Sequence, residues 1–292
     1  MKIFKLLALS LVLLFAVSCG SDEPTEVTDK CKDVSCDTGW VCLPSTGKCV
    51  EQGDNDKCKD ISCDTGEVCN PDNGKCESSS SITSISQLRK AGAVMSKTEI
   101  VTGITLDTKV DGIVIAVKGI NTSKKHGAYV CEPGATEYAC LYVDFYSIKS
   151  DTFVSPKVGD VVKVKGIHKE YYGETQLAPH TAEDFEITGT GTLPTAVEVA
   201  ANGFEEKYEG MLVKLKDSPF KVVLESDVEA DPKRYDTEME DSNGVAFKMS
   251  SSICYPYYEL PTGTSLTSIS GVIVYSYGEY KLYPRFDADL VK

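Results

Sequence analysis

Twelve of the 292 residues are cysteine, and eight of them share one short segment with a fixed spacing. Cys31-Lys-Asp-Val-Ser-Cys36-Asp-Thr-Gly-Trp-Val-Cys42 runs on to Gly47-Lys48-Cys49. Cys58-Lys-Asp-Ile-Ser-Cys63-Asp-Thr-Gly-Glu-Val-Cys69 runs on to Gly74-Lys75-Cys76, a constant offset of 27 residues. A thiol can accept an acyl group, close a disulfide or, as thiolate, hold zinc. Four cysteines per unit is the right number for a structural zinc site, but the tight Cys-x-x-Cys knuckles are missing. A unit this small cannot bury a core, so crosslinks must replace one, and two disulfides per unit are expected. Four cysteines allow three pairings, and the spacing does not choose among them. Asp54, Asp56 and Asp60 precede the second unit without a full loop of alternating oxygen ligands, so a solvated acidic surface is expected there rather than calcium.

The remaining chemistry-bearing residues are dispersed. The three histidines, His126, His168 and His180, stand at unrelated points, no Gly-rich phosphate loop occurs, and no carboxylate spacing demands acid–base work. No catalytic residue, no cofactor and no metal ion is expected. The net charge of −14 disfavours a phosphate backbone as default partner.

The amino terminus sets the compartment. Met1-Lys2-Ile3-Phe4-Lys5 carries two positive charges, an apolar run follows from Leu6 to Phe15, and Ala16-Val17-Ser18-Cys19 closes it with small residues and a thiol. This is a secretory signal. It resembles the bacterial lipoprotein lipobox, with Ala16 where leucine is commonest. The resemblance implies a signal peptide over 1–18, diacylglycerol on the Cys19 sulfur and an acylated new N-terminus, so that the membrane becomes a partner through the lipid anchor. Gly20 follows where an inner-membrane retention aspartate would stand, which points to the outer membrane or cell surface. An exported chain also favours disulfides over a reduced metal site.

Segments 19–30, a flexible tether, and 77–93, a linker, flank the cysteine units at 31–49 and 58–76. Within the linker, Ser84 to Ala91 allows one or two helical turns with Ile85, Leu88 and Ala91 on one side. Beyond it the signals are those of strands. Val110 to Ile120 is almost continuously apolar, and Ala139 to Tyr146 and Asp160 to Lys169 alternate. A weaker internal repeat aligns Gly166-Ile-His-Lys-Glu-Tyr-Tyr172-Gly173-Glu174-Thr-Gln-Leu177-Ala-Pro179 with Gly271-Val-Ile-Val-Tyr-Ser-Tyr277-Gly278-Glu279-Tyr-Lys-Leu282-Tyr-Pro284. Val110–Lys118 corresponds loosely to Tyr208–Lys216. Two β domains follow, 94–190 and 191–292.

These motifs carry two further resemblances. The cysteine units resemble EGF-like modules of exported proteins, lacking a third disulfide. That likeness implies first-to-third and second-to-fourth pairing: Cys31–Cys42, Cys36–Cys49, Cys58–Cys69 and Cys63–Cys76. The pattern Asp-Gly-x-Val, then Val-Gly-Asp-x-Val-x-Val-x-Gly, then Tyr-Gly-Glu-x-x-Leu-x-Pro resembles the OB-fold modules attached to secreted bacterial nucleases. It implies a mainly β chain: two small disulfide-rich modules followed by two tandem OB-like Greek-key β-barrels. In those nucleases the chemistry sits in a separate domain, which is not expected here.

OB folds bind oligonucleotides, oligosaccharides or proteins on the face of strands 2 and 3 and its flanking loops. The expected function is therefore a non-enzymatic, lipid-anchored binding module for a glycan, protein or oligonucleotide. The rivals are a nucleic-acid-binding accessory of an extracellular nuclease, using Lys118, Lys124, Lys125, Lys163, Lys165 and Lys169, and a structural surface spacer without ligand. Tyr142, Asp144 and Tyr146 are expected on one outward face, with Leu141, Val143 and Phe145 inward. Tyr171 and Tyr172 would add stacking surface at a hairpin. Cys131 and Cys140 are expected to staple strands 2 and 3, leaving Cys254 odd; the alternative is a bridge from Cys254 to Cys131 or Cys140 that cross-links the two domains.

The anchor is directly testable. Cys19→Ser should release the protein from membranes or leave an uncleaved precursor. Fractionation and mass spectrometry check this, and an unmodified mature N-terminus at any other residue overturns it.

Overall fold

The computed structural model describes residues 40–42, 49–51, 61, 67–70, 74–78, 82–92, 97–118, 126–134, 136–148, 153–228, 234–253, 260–276 and 278–292. The signal segment, the tether, Cys19, Cys254 and the first cysteine of each expected bridge in the cysteine units (Cys31, Cys36, Cys58 and Cys63) lie outside the described residues.

Each cysteine unit contributes one short hairpin. β1 (Trp40–Cys42) pairs with β2 (Cys49–Glu51), and β3 (Glu67–Asn70) pairs with β4 (Lys75–Ser78). Cys42 lies opposite Cys49, and Cys69 lies opposite Cys76, so the sequence repeat is also a repeat of register. Cys76 is disulfide-bonded.

The segment read as a linker contains α1 (Ile85–Gly92). Ser84 Oγ accepts from the Gln87 N–H at 3.1 Å, and Gln87 Oε1 accepts from the Thr83 N–H at 3.0 Å. The Ser84 side chain thus caps the first turn, with Gln87 reaching back to the residue before it, and Arg89 and Lys90 suit the negative end of the helix dipole. Ile82, Ile85 and Leu88 are buried in one cluster with Leu106, Val110, Val114 and Val164. The helix is thus part of the first barrel, whose core it completes. No described helix is long and apolar enough to cross a membrane.

The first barrel comprises β5 (Ile100–Lys118), β6 (Gly127–Cys131), β7 (Cys140–Asp144), β8 (Asp160–Tyr171) and β9 (Glu174–Ala178), with β10 (Phe185–Thr190) added beside β8. β5 lies between β6 and β8, β6 pairs with β7, β7 runs parallel to β9, and β9 returns antiparallel to β8. The five strands therefore close, and no edge remains in the ring. The apolar run in β5 is buried on both faces: Val110, Val114 and Val117 point into the barrel, while Ile115 and Ala116 join a second cluster outside it. A register shift between Val114 and Ala116 changes the phase.

The second barrel has the same connectivity. β11 (Val197–Val199) precedes β12 (Leu212–Leu215) and β13 (Phe220–Val228), which share the role of β5. β14 (Arg234–Glu240), β15 (Ala246–Ser250), β16 (Ser265–Leu266) with β17 (Ser268–Ser276), and β18 (Glu279–Tyr283) follow, and β19 (Leu290–Val291) pairs with β17. β15 runs parallel to β18, with Met249 opposite Leu282 as Val143 is opposite Leu177.

The repeat glycines have one job. A Cβ on Gly166 would meet the Ala178 carbonyl oxygen at 2.3 Å, and one on Gly271 would meet that of Tyr283 at 2.7 Å. Only glycine lets the fourth strand cross the fifth so closely. These glycines also correct the loose alignment of Val110–Lys118 with Tyr208–Lys216. Leu106 lies opposite Gly166 and Val213 opposite Gly271, so it is β13, not β12, that matches the second half of β5. The first strand of each barrel carries two similar apolar stretches, and sequence likeness joined the wrong pair.

Since α1 fills the end of the first barrel, Leu88→Ala should destabilise the protein by about 2–5 kcal/mol. Urea unfolding followed by circular dichroism measures this, and an unchanged midpoint would show the helix to be dispensable.

Candidate ligand-binding site

The tyrosine face is only partly open. Leu141, Val143 and Phe145 do point into the first barrel. Tyr142 points away from that core but is only 6% exposed, because the second barrel packs over it. Its ring lies 5.0 Å from that of Tyr129, and Lys118 Nζ sits 5.6 Å from its centroid. Asp144 Oδ2 accepts from Lys169 Nζ at 2.6 Å, and its Oδ1 accepts from the Tyr146 N–H at 3.0 Å. Tyr146 is 85% exposed. Tyr171 and Tyr172 are exposed at the β8–β9 turn, their rings edge to face at 5.0 Å. Tyr172 and Gly173 both take positive φ there, as a tight hairpin turn requires. The five residues thus split into a covered part (Tyr142), a rim (Asp144) and an exposed part.

Cys131 and Cys140 form the expected disulfide, stapling directly opposed residues of β6 and β7. Three of the lysines proposed for a phosphate chain face acids: Lys163 lies 3.7 Å from Asp111, Lys165 lies 3.6 Å from Asp184, and Lys169 binds Asp144, while Lys118 lies over the Tyr142 ring. Lys124 and Lys125 lie outside the described residues. Of the histidines, His168 is buried in β8 and His180 is exposed after β9. Among the described residues no group of His, Cys, Asp and Glu is arranged to hold a metal ion.

Between the barrels lies a buried polar junction that the sequence did not single out. Arg89 of α1, 3% exposed, donates to the Cys140 carbonyl at 2.8 Å and to the carbonyls of Glu209 and Glu206 at 2.5 and 3.0 Å. It also pairs with the carboxylates of Glu206 and Glu209. Glu209 Oε1 accepts from the Thr175 N–H, Glu170 Oε1 accepts from Thr175 Oγ1, and Glu206 Oε2 accepts from the Tyr280 hydroxyl. Glu174 accepts from the Tyr129 hydroxyl and from Gln176 Nε2, each at 2.7 Å.

Three carboxyl groups, Glu206, Glu209 and Glu170, therefore act on one guanidinium. Burial, reinforced by the Glu206 charge, raises both Glu170 and Glu209 well above the ordinary carboxyl range, despite the opposing pull of Arg89. Desolvation works against the Arg89 charge, but Glu206, Glu209 and Glu170 outweigh it and hold its pKa above the usual value. Burial, with Arg89 nearby, pushes His168 down to about 3. His168 is therefore neutral, and its 3.7 Å approach to Glu170 is not an ion pair. Neither ring nitrogen finds a hydrogen-bond partner among the described residues.

The second barrel carries an open cleft of about 450 Å³. β14 contributes Glu238, β15 contributes Ala246, Phe247 and Lys248, β18 contributes Glu279 and Tyr280, and the turn after β11 contributes Ala201, Asn202 and Phe204. Lys248 Nζ donates to Glu279 at 3.0 Å. The Phe204 and Phe247 rings meet edge to face at 6.2 Å. The cleft is shallow and largely open, a surface over which an extended ligand can lie rather than an enclosed pocket. The usable signal in the sequence was the repeat itself, since transferring strand 3 of the first barrel onto the second marks β15.

No protein-family model matches the chain, and no curated protein matches its sequence.

The junction sets a pH dependence of defined sign. A carboxyl whose folded pKa is raised contributes stability that is complete below the unfolded value, about 4.3, and is lost as pH rises through the folded value. The melting temperature of Glu170→Gln should therefore gain on that of the native protein as pH rises from about 5 to 8. His168 has the opposite sign: with a lowered folded pKa, its stability is present above about 6.5 and lost as pH falls. His168→Ile, which installs the residue found at the equivalent Ile273, should stabilise by about 1–3 kcal/mol, with the gain growing below pH 6.5. Thermal melts across pH check both, and parallel profiles for native and variant proteins would contradict them.

Proposed function

We propose that this chain is a lipid-anchored cell-envelope protein whose tandem OB-like barrels form a non-enzymatic binding module. The observation that carries the reading is the cleft over β14, β15 and β18. The strand order in each barrel supports the OB-like assignment: the first strand lies between the second and fourth, and the third runs parallel to the fifth. In such barrels the outer surface of strands 2 and 3 is the ligand face, and the cleft occupies that surface of the second barrel. The lipid on Cys19 would hold the module at the outer membrane or cell surface. The acidic tether and the two disulfide-rich, EGF-like units would lift it off the lipid.

A binding module must show a saturable isotherm. Full-length protein in detergent, immobilised by a C-terminal tag, should bind at least one member of a panel of oligosaccharides, peptides and oligonucleotides, and should leave every member chemically intact. Surface plasmon resonance followed by mass spectrometry of the recovered ligand reads both. Uniformly non-saturable signals would favour a spacer, and a cleaved ligand would make the protein an enzyme.

A further inference from the structure

The two barrels present equivalent faces in different states. Strand registers fix the correspondence. Val143 is opposite Leu177 and Met249 is opposite Leu282, so Tyr142 corresponds to Lys248 and Cys140 to Ala246. Tyr129 pairs with Tyr142 as Glu238 pairs with Lys248, and Glu174 stands where Glu279 stands. In the first barrel Tyr129, Cys140, Tyr142 and Glu174 are all buried, and the first three belong to the apolar cluster shared with the second barrel. In the second barrel Glu238 and Ala246 are exposed, Lys248 and Glu279 are half-buried, and the cleft lies above them. The tandem packing thus covers one face and leaves its counterpart open.

The open face has also changed chemistry. Where the covered face presents two tyrosines and a disulfide to its neighbour, the open one presents Glu238, Lys248 and Glu279 beside Phe204 and Tyr280, with Phe247 turned into the barrel beneath them. Lys248 stands across from Glu238 and binds Glu279 at 2.9 Å, and Lys281 bridges Glu279 and Asp236, so three carboxylates here face two ammonium groups. A net negative wall repels phosphate and sulfate. Aromatic faces offer apolar stacking area, while two carboxylates and the Asn202 amide accept and donate hydrogen bonds at close spacing. An alternation of apolar C–H surface and hydroxyl groups matches that wall, because carboxylates accept strong bonds from hydroxyl donors.

We infer that the cleft of the second barrel binds a hydroxyl-rich glycan that is neutral or carries amino groups, and that bears neither phosphate nor sulfate. This rests on the binding reading above and specifies its ligand class and its barrel.

The test uses the full-length protein on an array of neutral, amino-sugar and sulfated oligosaccharides, with oligo-dT and short peptides as other classes. The native chain should capture neutral or amino-sugar members. Glu238→Lys should weaken that capture by about tenfold, and Phe204→Ala by at least as much, while Tyr171→Ala with Tyr172→Ala leaves it unchanged. Glu238 is exposed, so its variant keeps the test valid even if Phe204→Ala lowers the melting temperature. Capture confined to sulfated sugars, oligo-dT or peptides would overturn the ligand class while sparing the binding reading. Neutral-glycan capture that survives Glu238→Lys and Phe204→Ala would overturn the site. Absence of saturable capture by any class would overturn both readings.

Discussion

A single guanidinium joins three parts of this structure. Arg89 leaves a helix that plugs the first barrel, touches a backbone carbonyl at the start of β7, and ends on two carbonyls and two carboxyl groups just before β12 of the second barrel. A buried charge without partners costs several kcal/mol, so helix, first barrel and second barrel must hold their relative positions for Arg89 to stay satisfied. The apolar surface around it, Tyr129, Cys131, Tyr142 and Met211 among others, gives area without direction. The directional part comes from the guanidinium fork.

The same packing covers part of the outer face of the first barrel. Its strand 2 and strand 3 face serves as an internal interface, and its tyrosines have turned into packing groups, with Tyr129 tied to Glu174 and Tyr142 against Tyr129. Packing of this kind is head-to-tail: different surfaces of two similar barrels meet, so one copy of each surface stays unused. The open cleft is the unused copy.

What was legible in the sequence was what is local or periodic. The alternation that pointed Leu141, Val143 and Phe145 inward needed only the pleat of one strand. The near-continuous run after Val110 marked a strand, and the glycines at 166 and 271 marked equivalent points of a repeat, while the two-faced burial of the one and the close crossing at the other emerged only in the fold. The cysteine pair at 131 and 140 gave its own hairpin. The junction was illegible because Arg89, Glu170 and Glu209 look like ordinary surface charges in their own segments, and only the fold brings them together. The covered state of Tyr142 escaped for a related reason: strand periodicity tells which residues leave a barrel's core but not what then lies over them. The role of α1 escaped because Ser-rich flanks read as a linker, although the apolar spacing of Ile85 and Leu88 was visible.

The junction also imposes an order of events. Arg89 finds its acceptors 117 and 120 positions further along the chain. A polypeptide delivered N-terminus first, as in synthesis or export, presents the first barrel and its plug while the residues that cover Tyr142 have yet to arrive. During that interval a broad apolar face and a lone cation are turned to the surroundings, a state prone to wrong association. The arrival of residues 206–209 supplies the acceptors that Arg89 lacks within the first barrel and so closes that interval.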